Sequence, residues 1–212
     1  MFGFLTGTSG GQDLLERLTL QLPLFIVSIT LHEAAHAWAA FRMGDDTAAR
    51  MGRLTLNPVA HLDPLGTLML LFAPVGWARP VPVDEGQLRR WGATLVSAAG
   101  PASNLLLAFL ALLGLKHLEM PTPGTAEATG EVLKTLVLLN VNLAVFNMLP
   151  IPPFDGAGMV RGLLPERLRP AMHQLVPYGV VVLVLLVFLP QGQALLAVVM
   201  RSAMAWLLQV TP

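Results

Sequence analysis

Between Leu18 and Phe41 the residues outside one polar motif are almost all apolar, and none is charged (LTLQLPLFIVSITL, then AWAAF). The run is long enough to cross a bilayer as a helix. The pattern predicts a first helix from about Leu14 to Met43, bent early by Pro23 and ended by Gly44 and the Asp45-Asp46 pair. Residues 44–63 are polar, and RLTL within them alternates as a short strand does. Residues 64–77 (PLGTLMLLFAPVGW) are apolar but too short to cross, with Pro and Gly inside, so a re-entrant or interfacial segment is expected. GWARPVPV at 76–83 is held extended by Pro80 and Pro82, an edge strand at most.

A second span is expected from about Gly92 to Leu118, a polar loop over 119–130, and a third span from Glu131 to Leu149 ended by PIPPFDG. Two apolar stretches remain, 175–189 and 194–208, which make one or two further membrane segments. The pattern therefore describes an all-α polytopic membrane protein. It has a three-helix core, one or two C-terminal segments, and a short re-entrant, β-like region between the first two core helices. The divisions expected are a flexible N-terminus (1–13), the core (14–165) and the C-terminal segments (166–212).

Composition agrees with that reading. Of 212 residues, 54% are hydrophobic and 12% charged, and the mean hydropathy is +0.64; a soluble domain is nearer a quarter charged. Zero formal net charge argues against a nucleic-acid partner. The absence of cysteine excludes disulfides, thiolate zinc sites and cysteine nucleophiles. Residues 1–13 carry no Lys or Arg, unlike the start of a signal peptide, so the first helix is expected to remain as an anchor. Arginines set the orientation. Six lie in 42–91 and three in 150–174, against Arg17, Lys116 and Lys134 on the other side, with Arg201 uncounted. This places the two Arg-bearing loops in the cytoplasm, in a multi-pass protein of the cell membrane.

The polar motif in the first helix is HEAAH. His32 and His36 are four residues apart and share a helix face, with Glu33 beside the first. That spacing suits two zinc ligands and the general base of a metallohydrolase. Three ionisable groups within five residues of a membrane helix are costly to keep for packing. A catalytic zinc commonly has a third protein ligand. Spacing leaves His61, Asp63, Glu85, His117, Asp155 and His173 open, with His61 and Asp155 foremost.

Five ordered stretches, HEAAHAWAAFRMGD, LTLNPVAHLDPLGTL, GWARPVPV, SAAGPASN and NMLPIPPFDG, resemble the site-2 protease family of intramembrane zinc metalloproteases. The likeness covers roughly 20–165 and is nearest to the minimal branch without PDZ or CBS domains. The resemblance implies Asp155 as third Zn²⁺ ligand, Glu33 as catalytic base and Asn147 as a group that binds substrate backbone or the developing oxyanion. It also implies single-span membrane proteins as substrates and an active site toward the cytoplasmic side. Where the family often has Leu-Asp-Gly-Gly, this chain reads Phe154-Asp155-Gly156-Ala157, and only local packing is expected to differ.

Asn57, His61 and Asp63 match the family pattern but are expected to tie down the polar loop. Asn104, Asn140 and Asn142 are expected to bond between helices. Two other functions fit a His-bearing membrane helix. A metal-ion transporter needs ligands along a path, whereas these cluster at one depth; a client-binding scaffold has no use for Glu33.

Overall fold

The computed structural model describes residues 15, 17–72, 77–89, 91–117 and 123–212. The N-terminal stretch 1–13, the end of the expected re-entrant segment (73–76), and the last residue of the expected second span with the start of the expected polar loop (118–122) lie outside them. Among the described residues four helices are long and apolar enough to cross a membrane.

Helix α1 (Leu22–Arg42) begins after a π-helical turn, Arg17–Gln21. Pro23 therefore sits directly after the π-helical turn, near the start of a helical run that extends from Leu18 to Arg42. The helix stops at Met43, and Gly44 turns the chain with φ of 107°. Asp45, fully buried, then accepts from the amides of Thr47 (2.9 Å) and Asp84 (2.8 Å). Burial by itself raises the Asp45 carboxyl, and the Thr47 and Asp84 hydrogen bonds more than reverse it, holding the group below its ordinary value.

The polar loop holds a short helix α2 (Thr47–Arg50) and a 3₁₀ turn, Pro58–Ala60. RLTL does not form a strand. Among the described residues the segment pairs with no other stretch; instead the Thr55 carbonyl binds the buried His61 ring (2.9 Å) and Arg53 turns inward to the Arg79 carbonyl. Helix α3 (Pro64–Phe72) is capped by Asp63, whose Oδ1 accepts from the Gly66 amide at 2.8 Å. Nine residues give about 13 Å of helix, too short to cross. Residues 77–83 are extended, and their β character is limited to one antiparallel bridge, Leu62 to Ala78, with the Arg79 amide donating to the His61 carbonyl at 2.8 Å.

Helix α4 (Gly92–His117) and helix α5 (Pro123–Asn147) follow. The second of these starts earlier than the sequence pattern predicts, because the Ala- and Glu-containing stretch 123–130 is helical rather than a loop. After a Pro-rich turn come α6 (Asp155–Leu163), α7 (Arg169–Gln174), α8 (Val176–Phe188) and α9 (Pro190–Val210). His117 ends α4, and His173 lies in α7.

Ser28 of α1 meets Asn104 of α4 and Asn140 of α5, while His36, two turns on, meets Val96. So α4 runs antiparallel to α1. Lipid is as apolar as leucine, so these helices are held by close packing and interhelical hydrogen bonds. The packing is done by small and branched residues, Ala108, Ala111, Leu112, Val137, Val141 and Val145, with Leu207 of α9 closing the cluster. At the other end of α4, Lys116 Nζ donates to the Thr211 carbonyl at 2.6 Å, which fixes the C-terminus away from the His36 end of the bundle. Trp77, Trp91 and Trp206 are all well exposed, as interfacial anchors are.

Candidate metal centre

On α1, His32, Glu33 and His36 are all buried. The third participant comes from far along the chain. Asp155 is the first residue of α6, and that helix lies on α4 through glycines: a Cβ at Gly158 would strike Ser97 Oγ, and one at Gly162 would strike Thr94. This close approach carries Asp155 to the histidines. The three donor atoms form a near-equilateral triangle. His32 Nε2 to His36 Nε2 is 3.0 Å, His32 Nε2 to Asp155 Oδ2 is 3.1 Å, and His36 Nε2 to Asp155 Oδ2 is 3.2 Å.

The hydrogen bonds behind the rings decide what those atoms are. His36 Nδ1 lies 2.7 Å from the Val96 carbonyl, which can only accept, so Nδ1 carries the proton. A longer chain fixes His32. The Leu136 carbonyl accepts from Asn140 Nδ2 (2.9 Å), which turns Asn140 Oδ1 toward Asn104 Nδ2 (2.8 Å). Asn104 Oδ1 is then left to accept from His32 Nδ1 at 2.6 Å. With both protons on Nδ1, both neutral rings present Nε2 lone pairs to each other and to a carboxylate oxygen. Three lone pairs facing one another repel unless a cation lies among them. Tetrahedral Zn²⁺ with ligand bonds near 2.0–2.1 Å places its donors about 3.3 Å apart, close to the triangle found.

The wall opposite is kept clear by Gly100. A Cβ there would collide with the Nε2 atoms of both His32 and His36. The residues present therefore fit Zn²⁺ by donor type, by spacing and by the cradle behind them.

Glu33 faces the extended segment, and its Oε2 accepts from the Val81 amide at 3.2 Å. Asn147 lines the same cavity, with its Nδ2 donating to the Leu143 carbonyl one turn back at 3.0 Å. The cavity has a volume of ≈ 1120 Å³ and reaches from the histidines along α1 and α5 to Arg201 of α9.

Of the other candidates for a third ligand, His61 is fully buried against the Thr55 carbonyl and Asp63 caps α3. Glu85 pairs with Arg161, and His117 lies by the C-terminal Pro212 carbonyl. None of these joins the cluster of His32, His36 and Asp155. Ala157, where a second glycine was expected, is buried in α6 without displacing Asp155. Within SAAGPASN the sequence pointed only to Asn104, as a residue that bonds between helices. Gly100, Asn104 and the Val96 carbonyl just before it all serve the histidines, and the sole signal was their position in one small-residue stretch.

Residues 117–189 match the sequence profile described as peptidase family M50. The chain is 45% identical over 177 residues to the protein named "Putative zinc metalloprotease YwhC" of Bacillus subtilis (strain 168), covering 81% of each chain. It is 34% identical over 172 residues to "Putative zinc metalloprotease Rip2" of Mycolicibacterium smegmatis, covering 78% of this chain and 65% of the relative. It is 26% identical over 144 residues to "Zinc metalloprotease MJ0392" of Methanocaldococcus jannaschii, covering 68% and 34% respectively. No solved structure matches it significantly.

Proposed function

Since the chain belongs to peptidase family M50, the site-2 protease type of membrane zinc metalloprotease, we propose that it cuts peptide bonds within or near the transmembrane segments of single-span membrane proteins, as in regulated intramembrane proteolysis. The observation that carries this reading is the convergence of His32 and His36 Nε2 and Asp155 Oδ2 beside Glu33 in a membrane-length helix.

In this reading His32, His36 and Asp155 hold the ion, with Asn104 and the Val96 carbonyl fixing the two rings. Zn²⁺, when bound, makes water acidic enough to ionise near neutral pH and polarises the scissile carbonyl. Glu33 takes the water's proton and passes it to the departing amine, and the Val81 amide orients the carboxylate meanwhile. Asn147 keeps one amide proton beyond its bond to Leu143, and that proton is the donor offered to the developing oxyanion.

A substrate helix hides its carbonyls in its own hydrogen bonds and must unwind before cleavage. Residues 77–83 supply an extended edge for the unwound stretch. The nine arginines of loops 42–91 and 150–174 support a cytoplasmic location for the Asp155 end of the bundle.

The test compares wild type with Glu33→Gln, both purified and assayed for bound zinc and for cleavage of single-span substrates. Zinc in both with cleavage only by wild type is expected. Cleavage by Glu33→Gln at the wild-type rate would falsify the mechanism; metal flux across proteoliposomes without cleavage would favour a transporter.

A further inference from the structure

Arg201 is the twelfth residue of the 21-residue α9, so it sits near mid-membrane. A charge at that depth is costly and is kept where it faces a partner or a polar cavity. Among the described residues no carboxylate pairs with it, whereas the neighbouring cation, Lys134, is matched by Glu131 at 2.8 Å. Arg201 nevertheless faces a specific place. Ala197 and Met204, one turn before and after it on the same face of α9, line the cavity with it, and this is the same cavity that holds His32, Glu33 and Asp155.

From these facts we propose that Arg201 is a specificity-determining residue, binding a carboxylate carried by the substrate. The inference rests on the protease reading, in which the cavity receives the substrate. A guanidinium takes a carboxylate through two parallel hydrogen bonds, a geometry that selects a carboxylate over a neutral amide. The local balance of charge points the same way: the whole lining holds acidic groups as well as basic ones, but on the wall formed by α5, α8 and α9 Lys134 and Glu131 cancel, and Arg201 is the charge left over.

The position along the substrate follows from the helices. Arg201 is ten residues in from Thr211, which lies at the Lys116 end of the bundle; His32 is fourteen residues in from Leu18, where the first span begins. At 1.5 Å per residue the offset between Arg201 and the histidines is about 6 Å along the axis. Allowing for the lateral distance across the cavity, the carboxylate falls about two to four residues of extended chain from the scissile bond, on the Lys116 side. It is either an Asp or Glu side chain or a free C-terminal carboxylate.

The test measures binding, using Glu33→Gln so that no turnover is required. Labelled single-span peptides in detergent micelles carry Asp or Asn at each of those positions. A second set ends there with a carboxylate or a carboxamide. The Asp or carboxylate form is expected to bind on the order of tenfold tighter, the two sets telling side chain from terminus. Arg201→Gln should erase the preference and Arg201→Glu should turn it toward Lys-bearing peptides, with zinc content and helix content unchanged. Equal binding of Asp and Asn peptides, or a preference that survives Arg201→Gln, overturns the proposal; the first result is also what an anionic lipid headgroup on Arg201 would give. A wild type that binds these peptides but never cleaves them counts against the protease reading and not against the subsite.

Discussion

His32 Nδ1 lies 2.6 Å from Oδ1 of Asn104, seventy-two residues further along the chain. The bond ends a relay that starts at the Leu136 carbonyl and passes through Asn140, and it forces the His32 lone pair onto the ring nitrogen that faces His36 and Asp155. Asn104→Leu breaks the relay without touching any donor atom of the triangle. Zinc affinity is expected to fall about 10- to 100-fold, read by competition with a chelator. Wild-type affinity in this variant would show that the relay is packing only.

Gly100→Ala tests the cradle. Its methyl group would occupy the space against both Nε2 atoms, so bound zinc per chain should drop well below one while circular dichroism still reports a folded helical protein. Full zinc occupancy would mean that α4 can move aside freely.

Asp45 gives the loop its pH response. Its carboxyl is depressed in the folded protein, so the stability it contributes is present above the ordinary aspartate value and is lost as pH falls through the lower, folded value. Asp45→Asn replaces one accepting oxygen by a donor that faces an amide. It should cost about 2 kcal/mol at neutral pH, and it should shrink the drop in melting temperature between pH 6 and pH 3. An unchanged drop places the acid sensitivity elsewhere.

Substrate capture on the extended segment can be separated from positioning of the base. Val81 spends its amide on Glu33, so Val81→Pro disturbs both. Val83→Pro leaves that bond and the Arg79–His61 pairing in place. It should slow cleavage several-fold with zinc content intact, and Val81→Pro should slow it more. Cleavage by Val83→Pro at the wild-type rate removes strand addition from the mechanism.

Much of this arrangement could be read from the chain because membrane helices and HEAAH announce themselves locally: apolar runs fix the spans, and a four-residue interval fixes a shared face. Spacing could not choose Asp155 over His61, since the choice depends on how α6 lies on α4, a matter of Gly158 and Gly162 against Thr94 and Ser97. RLTL alternates as a strand does because alternation is local, but a strand needs a neighbour and this one has none among the described residues. The early start of α5 escaped because polar residues near a helix end read as loop, although Ala and Glu are good helix formers. The roles of Asn104 and Asn140 were the least legible: an asparagine in an apolar helix shows that it needs partners, not which ones.

His36 and Asp155 stand 119 positions apart. An ion shared between them ties the chain into a ring that encloses the polar loop, α3, the extended segment, α4 and α5. In the proposed reading, metal supply would bear on the folding of the protein as well as on its chemistry. A cell short of zinc would then keep α6 in place through the packing of Gly158 and Gly162 on α4 alone, without the cross-link to α1.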